Sequence, residues 1–191
     1  INSLLFITTT YFINLLCLAL SPVALLIVLG YSYTKRFTAF CHLILGLGLA
    51  LAPIGAYLAV SGEFKIIPIF FSAAVLFWVS GFDIIYSMQD QEFDKTHELH
   101  SMPVLLGKKN ALMLSNILHL LTFSALSIAG SLGGFSLYYW IGFASFSALL
   151  VYQHTLVKYN DLSKVNLAFF TTNGIASLIF GAFVIADLLL K

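Results

Sequence analysis

The stretch "IIPIFFSAAVLFWVSGFDIIYSMQDQEFDKTHE", residues 66–98, opens as an apolar run and closes in acid. Asp83, Asp90, Glu92, Asp94 and Glu98 fall inside it, more than half of the 8 acids in the chain. Roughly 20 residues of helix are enough to cross the hydrocarbon of a bilayer. The run shows none of the strict alternation that a barrel strand needs. A helix satisfies its own backbone N–H and C=O groups, which water cannot do inside lipid. Residues 66–88 therefore read as a membrane-spanning helix that delivers acidic side chains to one surface.

The rest of the chain follows the same pattern. It is 60% hydrophobic and 9% charged, with a mean hydropathy of +0.99. Soluble domains carry about a quarter of their residues as charges. Six further apolar segments are expected, near residues 4–20, 21–33, 40–60, 110–129, 135–156 and 165–190. The second is expected to start at Ser21-Pro22, read as an N-cap with Pro in the first helical position. "GSLGG", residues 130–134, reads as a turn. The fold class is all-α, a polytopic transmembrane bundle of about seven helices in one domain, residues 1–191.

Charge narrows the function. A net charge of +1 without a basic block argues against nucleic acid as a partner. Cys17 and Cys41 stand apart in apolar surroundings and read as packing residues. Lys35, Arg36, Lys95, Lys108, Lys109, Lys158 and Lys164 lie in alternate connections, leaving Lys65 and Lys191 for the other side. The positive-inside rule makes the richer face cytoplasmic, and the acids open on it. The chain begins at Ile1, within an apolar segment and without Met. It is expected to lack an N-terminal part, and no signal peptide is visible.

If the helix of residues 66–88 continued without interruption, Asp83, Asp90 and Asp94 would share one face within about 40°. Tyr86 would lie nearby, and Glu92 would point elsewhere as a solvated charge. Like charges on one face repel, and near hydrocarbon they are costly. Spacing alone leaves two accounts: a site for a metal-bound phosphate ester, or an ordinary polar helix end. Mg²⁺ favours the first, since it takes one or two carboxylates together with phosphate oxygens. A second polar island, "YSYTKRFTAF", puts Tyr31, Lys35 and Arg36 at the same face. Arg and Lys are natural partners of phosphate oxygens, although they also serve as topology markers.

At these residues the chain resembles the UbiA-type intramembrane aromatic prenyltransferases. "DIIYSMQDQEFD" is similar to their second aspartate-rich motif, and Tyr31 to Lys35, followed by Arg36, to their Tyr-x-x-x-Lys motif. "DKTHELHSMPVLLGKKNA" is similar to the loop that follows, and the likeness runs to "DLSKVNLAFFTTNG". The nearest resemblance is to 4-hydroxybenzoate polyprenyltransferases of bacterial quinone biosynthesis.

The resemblance implies a nine-helix bundle around a central cavity in the bacterial inner membrane, with its active site facing the cytoplasm. It implies transfer of a polyprenyl group from polyprenyl diphosphate to an aromatic acid, 4-hydroxybenzoate or a related hydroxynaphthoate. Asp90 and Asp94 match the Mg²⁺-binding pair, and Asp83 matches the residue that orients or deprotonates the acceptor. Tyr31, Lys35 and Arg36 match positions for diphosphate binding and carbocation shielding, and Tyr86 is a further candidate for stabilising the cation. The first aspartate-rich motif does not occur here, so this chain alone is expected to be inactive.

Other residues support plainer readings. His97 and His100 read as loop residues, with a transition-metal pair as the alternative. His119 and His154 read as hydrogen-bonded packing residues. Asn166, Asn173, Thr171 and Thr172 read as polar contacts between helices, with Asn173 also a candidate to face the cavity. "GLGLALAPIG" reads as close helix packing by small residues with a kink at Pro53, a roomy cavity wall being the functional alternative. An ion-coupled transporter would place ionisable groups near mid-bilayer in paired halves, whereas these acids gather at one face. The Asp-Gly-x-x-Ala-Arg signature of CDP-alcohol phosphotransferases does not occur.

Overall fold

A computed structural model describes residues 1–190, and among these every regular element is helical. Lys191, expected on the face opposite the basic connections, lies outside the described residues. The helices are α1 (Asn2–Ile13), α2 (Leu15–Thr34), α3 (Cys41–Ser61) and α4 (Ile66–Ser87). A 3-10 turn, Met88–Asp90, leads into the short α5 (Gln91–Thr96). Then come α6 (Met102–Gly133), α7 (Leu137–Leu156), a π-helical turn (Leu167–Thr172) and α8 (Asn173–Leu190). Joined where they run on, these make the seven expected segments. Five are long and apolar enough to cross a membrane.

The surface is that of a protein solvated by lipid. Leu26, Leu178 and Leu189 are each about three-quarters exposed. Small polar side chains are buried instead, and they bond across helices. Ser115 Oγ donates to the Gly81 carbonyl at 2.7 Å, Ser80 Oγ to the His42 carbonyl at 3.1 Å, and Thr122 Oγ1 to the Ala74 carbonyl at 3.4 Å. Without a hydrophobic drive between helices, close backbone approach and such bonds hold the bundle together. α4 lies at its centre, packed on α3 and α6.

Two glycines make that packing possible. A Cβ on Gly46 would lie 2.5 Å from the Leu76 carbonyl oxygen, and one on Gly81 would lie 2.4 Å from the His119 ring. Pro53 sits inside α3, where Ser72 Oγ accepts from the Ile54 N–H at 3.1 Å and joins α3 to α4.

The first helix break is not where Ser21-Pro22 suggested. It falls at Asn14, which is extended and N-caps α2 by accepting from the Cys17 N–H at 2.8 Å. The Asn14 amide also donates to the Leu58 carbonyl at 2.8 Å. Pro22 lies within α2, where its missing N–H would orphan the Leu18 carbonyl. Ser21 Oγ donates to that carbonyl at 2.8 Å, so the helix continues.

Likewise, α6 begins at Met102 rather than near residue 110, and Gly107 (φ 75°, ψ 157°) breaks it internally. It also runs through most of the expected turn, ending at Gly133. At the opposite end of the bundle Asp187 accepts from the Ser136 hydroxyl and from the backbone N–H groups of Ser136 and Tyr139, capping α7 from α8.

Gly81→Ala should lower detergent-phase stability by about 1–3 kcal/mol, because His119 can yield only by giving up its bonds to His154 and the Trp78 carbonyl. Gly181→Ala, with open space at its Cβ, should be neutral or slightly stabilising. Equal melting temperatures for the two variants would refute this account of the α4–α6 crossing.

Candidate active site

The two polar islands meet. Lys35, just past the end of α2, places Nζ 2.8 Å from Asp94 Oδ1. Asp94 is fully buried on α5, while the Lys35 side chain stays 31% exposed. Backbone and thiol contacts reinforce the junction. The His100 N–H donates to the Lys35 carbonyl at 2.7 Å, the Leu99 N–H to the Asp94 carbonyl at 2.8 Å, and Cys41 Sγ approaches the His100 carbonyl at 3.5 Å. Glu98 adopts φ 55°, a left-handed conformation that reverses the chain after α5. The Gln91 amide donates to the Pro103 carbonyl and ties α5 to the start of α6.

The three aspartates take different surroundings, and the helix that carries them is not continuous. The 3-10 turn at Met88–Asp90 winds more tightly than an α-helix and breaks the 100° register on which the expectation of a shared face rested. Asp94 turns to Lys35, while Asp90 is exposed. Asp83 turns to His42, whose Nδ1 lies 2.6 Å from Asp83 Oδ2. His42 had no sequence signal; it is a lone histidine in an apolar helix, and only the α3–α4 crossing pairs it. Glu92 is a solvated surface charge, 3.5 Å from Lys95.

The cation-shielding candidates also separate. Tyr31, one helical turn before Lys35, lines a cavity of about 790 Å³ with Leu49, Trp78, Phe82 and Asn173. That volume lies within the range of small-molecule sites. Trp78 Nε1 donates to Asn173 Oδ1 at 3.1 Å, so Asn173 both joins α4 to α8 and faces the cavity. Tyr86 packs instead against Phe169, ring centroids 4.2 Å apart. Arg36 is exposed, with its guanidinium 5.8 Å from the Tyr33 ring centroid.

The plainer histidine readings agree with the geometry. His97 is exposed and stacks on Phe93, and His100 is also exposed. His119 and His154 bond to each other at 2.8 Å and border a second cavity of about 510 Å³ between α6 and α7.

Comparison with known proteins now bears on this arrangement. The model of the UbiA prenyltransferase family matches residues 1–175. The chain belongs to the UbiA prenyltransferase family. A 4-hydroxybenzoate octaprenyltransferase of Francisella tularensis subsp. novicida is 32% identical over 171 residues, covering 88% of this chain and 59% of the relative. One from Xanthomonas campestris pv. campestris is 28% identical over 168 residues, covering 88% and 56%. The chain thus spans little more than half the length of these relatives. The structure described as the apo structure of a UbiA homolog from Aeropyrum pernix K1 superposes with a TM-score of 0.87 at 31% identity, covering 97% of this chain and 69% of that one. The UbiA bundle expected from sequence is the fold observed, in a multi-pass membrane protein.

Among the described residues no three His, Cys, Asp or Glu side chains converge to hold a metal by themselves. The donors still suit Mg²⁺, which is commonly held by one or two carboxylates with phosphate and water completing the shell. Asp94 Oδ2 is buried with no hydrogen-bond donor among the described residues. Asp90, four residues earlier, is open to solvent.

Removing either partner of the Lys35–Asp94 pair should destabilise, because the other is left uncompensated at a membrane edge. In a double-mutant cycle of Lys35→Met and Asp94→Leu, followed by unfolding in detergent, we expect about 1–2 kcal/mol of coupling. Strict additivity would show the pair to be incidental.

Proposed function

We propose that the protein bearing this chain transfers a polyprenyl group from polyprenyl diphosphate to an aromatic acid, 4-hydroxybenzoate or a related hydroxynaphthoate. The setting we assign is quinone biosynthesis at the cytoplasmic face of a bacterial inner membrane. The observation that carries this reading is the Lys35–Asp94 pair one turn beyond a cavity-lining tyrosine. A charged head and a long apolar tail require that juxtaposition. The names of the relatives supply the acceptor class.

Asp90 and Asp94 would hold Mg²⁺ against the diphosphate, where the ion supplies charge neutralisation of the leaving group. Lys35 and Arg36 add positive charge whose effect grows as the allylic C–O bond breaks and its electron pair passes to the diphosphate. The ring carbon beside the phenolic hydroxyl forms the new C–C bond. Asp83 orients that hydroxyl and accepts its proton. Loss of the proton from the alkylated carbon, with return of one to oxygen, restores the aromatic ring, so one proton is released overall. Tyr31 shields the allylic cation through its π face, worth about 0.5–2 kcal/mol. Tyr86, one turn beyond cavity-lining Phe82 and packed on Phe169, is assigned the same shielding role. Placing the cation in an apolar cavity keeps water from capturing it.

With this chain at the full length of its relatives, membranes given polyprenyl diphosphate and labelled 4-hydroxybenzoate should form a prenylated product. A chelator should stop the reaction and Mg²⁺ restore it. Asp90→Ala and Asp94→Asn should each reduce turnover by roughly 10²–10³. Unimpaired turnover in either variant would remove that residue from the metal site, and turnover in the chelator would remove the metal.

A further inference from the structure

The Asp83–His42 contact has a third member. The Met102 backbone N–H donates to His42 Nε2 at 3.3 Å. A backbone amide can only donate, so Nε2 holds its lone pair toward Met102 and the ring proton lies on Nδ1. Nδ1–H then donates to Asp83 Oδ2 at 2.6 Å. The Met102 N–H thus selects the tautomer that presents Nδ1–H to Asp83. The His42 side chain is 3% exposed, against 21% for Asp83, so the histidine is sealed behind the carboxylate. Nothing among the described residues donates to Asp83 Oδ1.

We propose that His42 is the positioning residue of the acceptor half of the reaction. Its Nδ1–H fixes the Asp83 carboxylate through Oδ2 and leaves Oδ1 to meet the phenolic hydroxyl. A base whose orientation is set by a third group is a recurring arrangement in proton-transfer sites. Here the orienting group is itself held by the start of α6. The segment from His100 to Met102 touches both Lys35 and His42. One short connection therefore sets the diphosphate lysine and the acceptor's aspartate together. The proposal rests on Asp83 serving the acceptor, as put forward above.

The test uses the chain at the full length of its relatives, in detergent or membranes, with the kinetics of each substrate resolved. His42→Leu should lower kcat/KM for the aromatic acceptor by roughly 10–100-fold, the usual cost of losing an orienting partner. KM for polyprenyl diphosphate should be unchanged. His42→Gln, whose amide also donates N–H, should restore the acceptor value to within about fivefold of the parent. Should His42→Leu fail to accumulate, His42→Ala supplies the same test, with added imidazole raising its acceptor kcat/KM several-fold and leaving the parent unaffected.

Equal losses on both substrates, or failure of both Gln and imidazole to rescue, would overturn the proposal and reduce His42 to a packing residue. Asp83→Asn, measured in parallel, separates the two levels. Normal acceptor kinetics in Asp83→Asn would fell the role of Asp83 and this proposal with it. An impaired Asp83→Asn beside a normal His42→Leu would fell this proposal alone.

Discussion

The structure is organised around an ion pair at the edge of hydrocarbon. Lys35 and Asp94 belong to helices separated by two full membrane crossings, and this contact joins them, with the His100 N–H bonded to the Lys35 carbonyl beside it. A buried carboxylate is tolerated only when paired, and a lysine at this depth keeps its head toward water while its stem lies against the protein. The pair meets both needs, and it fixes where a phosphorylated head group can dock. The cavity, the left-handed residue at Glu98 and the closure of α5 on α6 are arranged around that meeting point.

The membrane inverts the usual logic of a core. Leucines and phenylalanines face outward because lipid is as apolar as they are, and so the interior is defined by what lipid cannot satisfy. Hydroxyls on α4 and α6 bond neighbouring carbonyls, and the indole of Trp78 finds Asn173. The aromatic side chains that line or back the cavity, Trp78, Phe82 and Phe169, meet edge to face at 5.3–5.4 Å. That contact geometry suits a wall that must be firm without polar atoms.

The sequence displayed the long apolar helices and both polar islands, because each is written in long runs or in residues of distinctive charge. Three features escaped it for physical reasons. Pro22 looked like a helix start because the neighbouring hydroxyl that compensates for it is visible only once the helix is built. The tight turn at Met88–Asp90, which interrupts the acid-bearing helix, has no marker in the local sequence. His42 stayed silent because its meaning lies in a crossing partner. The acidic residues were legible as a group, but their individual partners were decided by tertiary contacts.

The wide turn at Leu167–Thr172 acts on the last helix as a phase setter. Thr172 Oγ1 reaches the Leu167 carbonyl five residues back, as befits a turn holding one residue more than an α-helix would. Asn173 and Asp187, at opposite ends of α8, then point the same way to within about 40°. One of them bonds Trp78 beside the cavity, and the other caps α7 at the far surface. A single surplus residue therefore aims an entire helix, locking the wall of the chamber and the distant rim into one rotational setting.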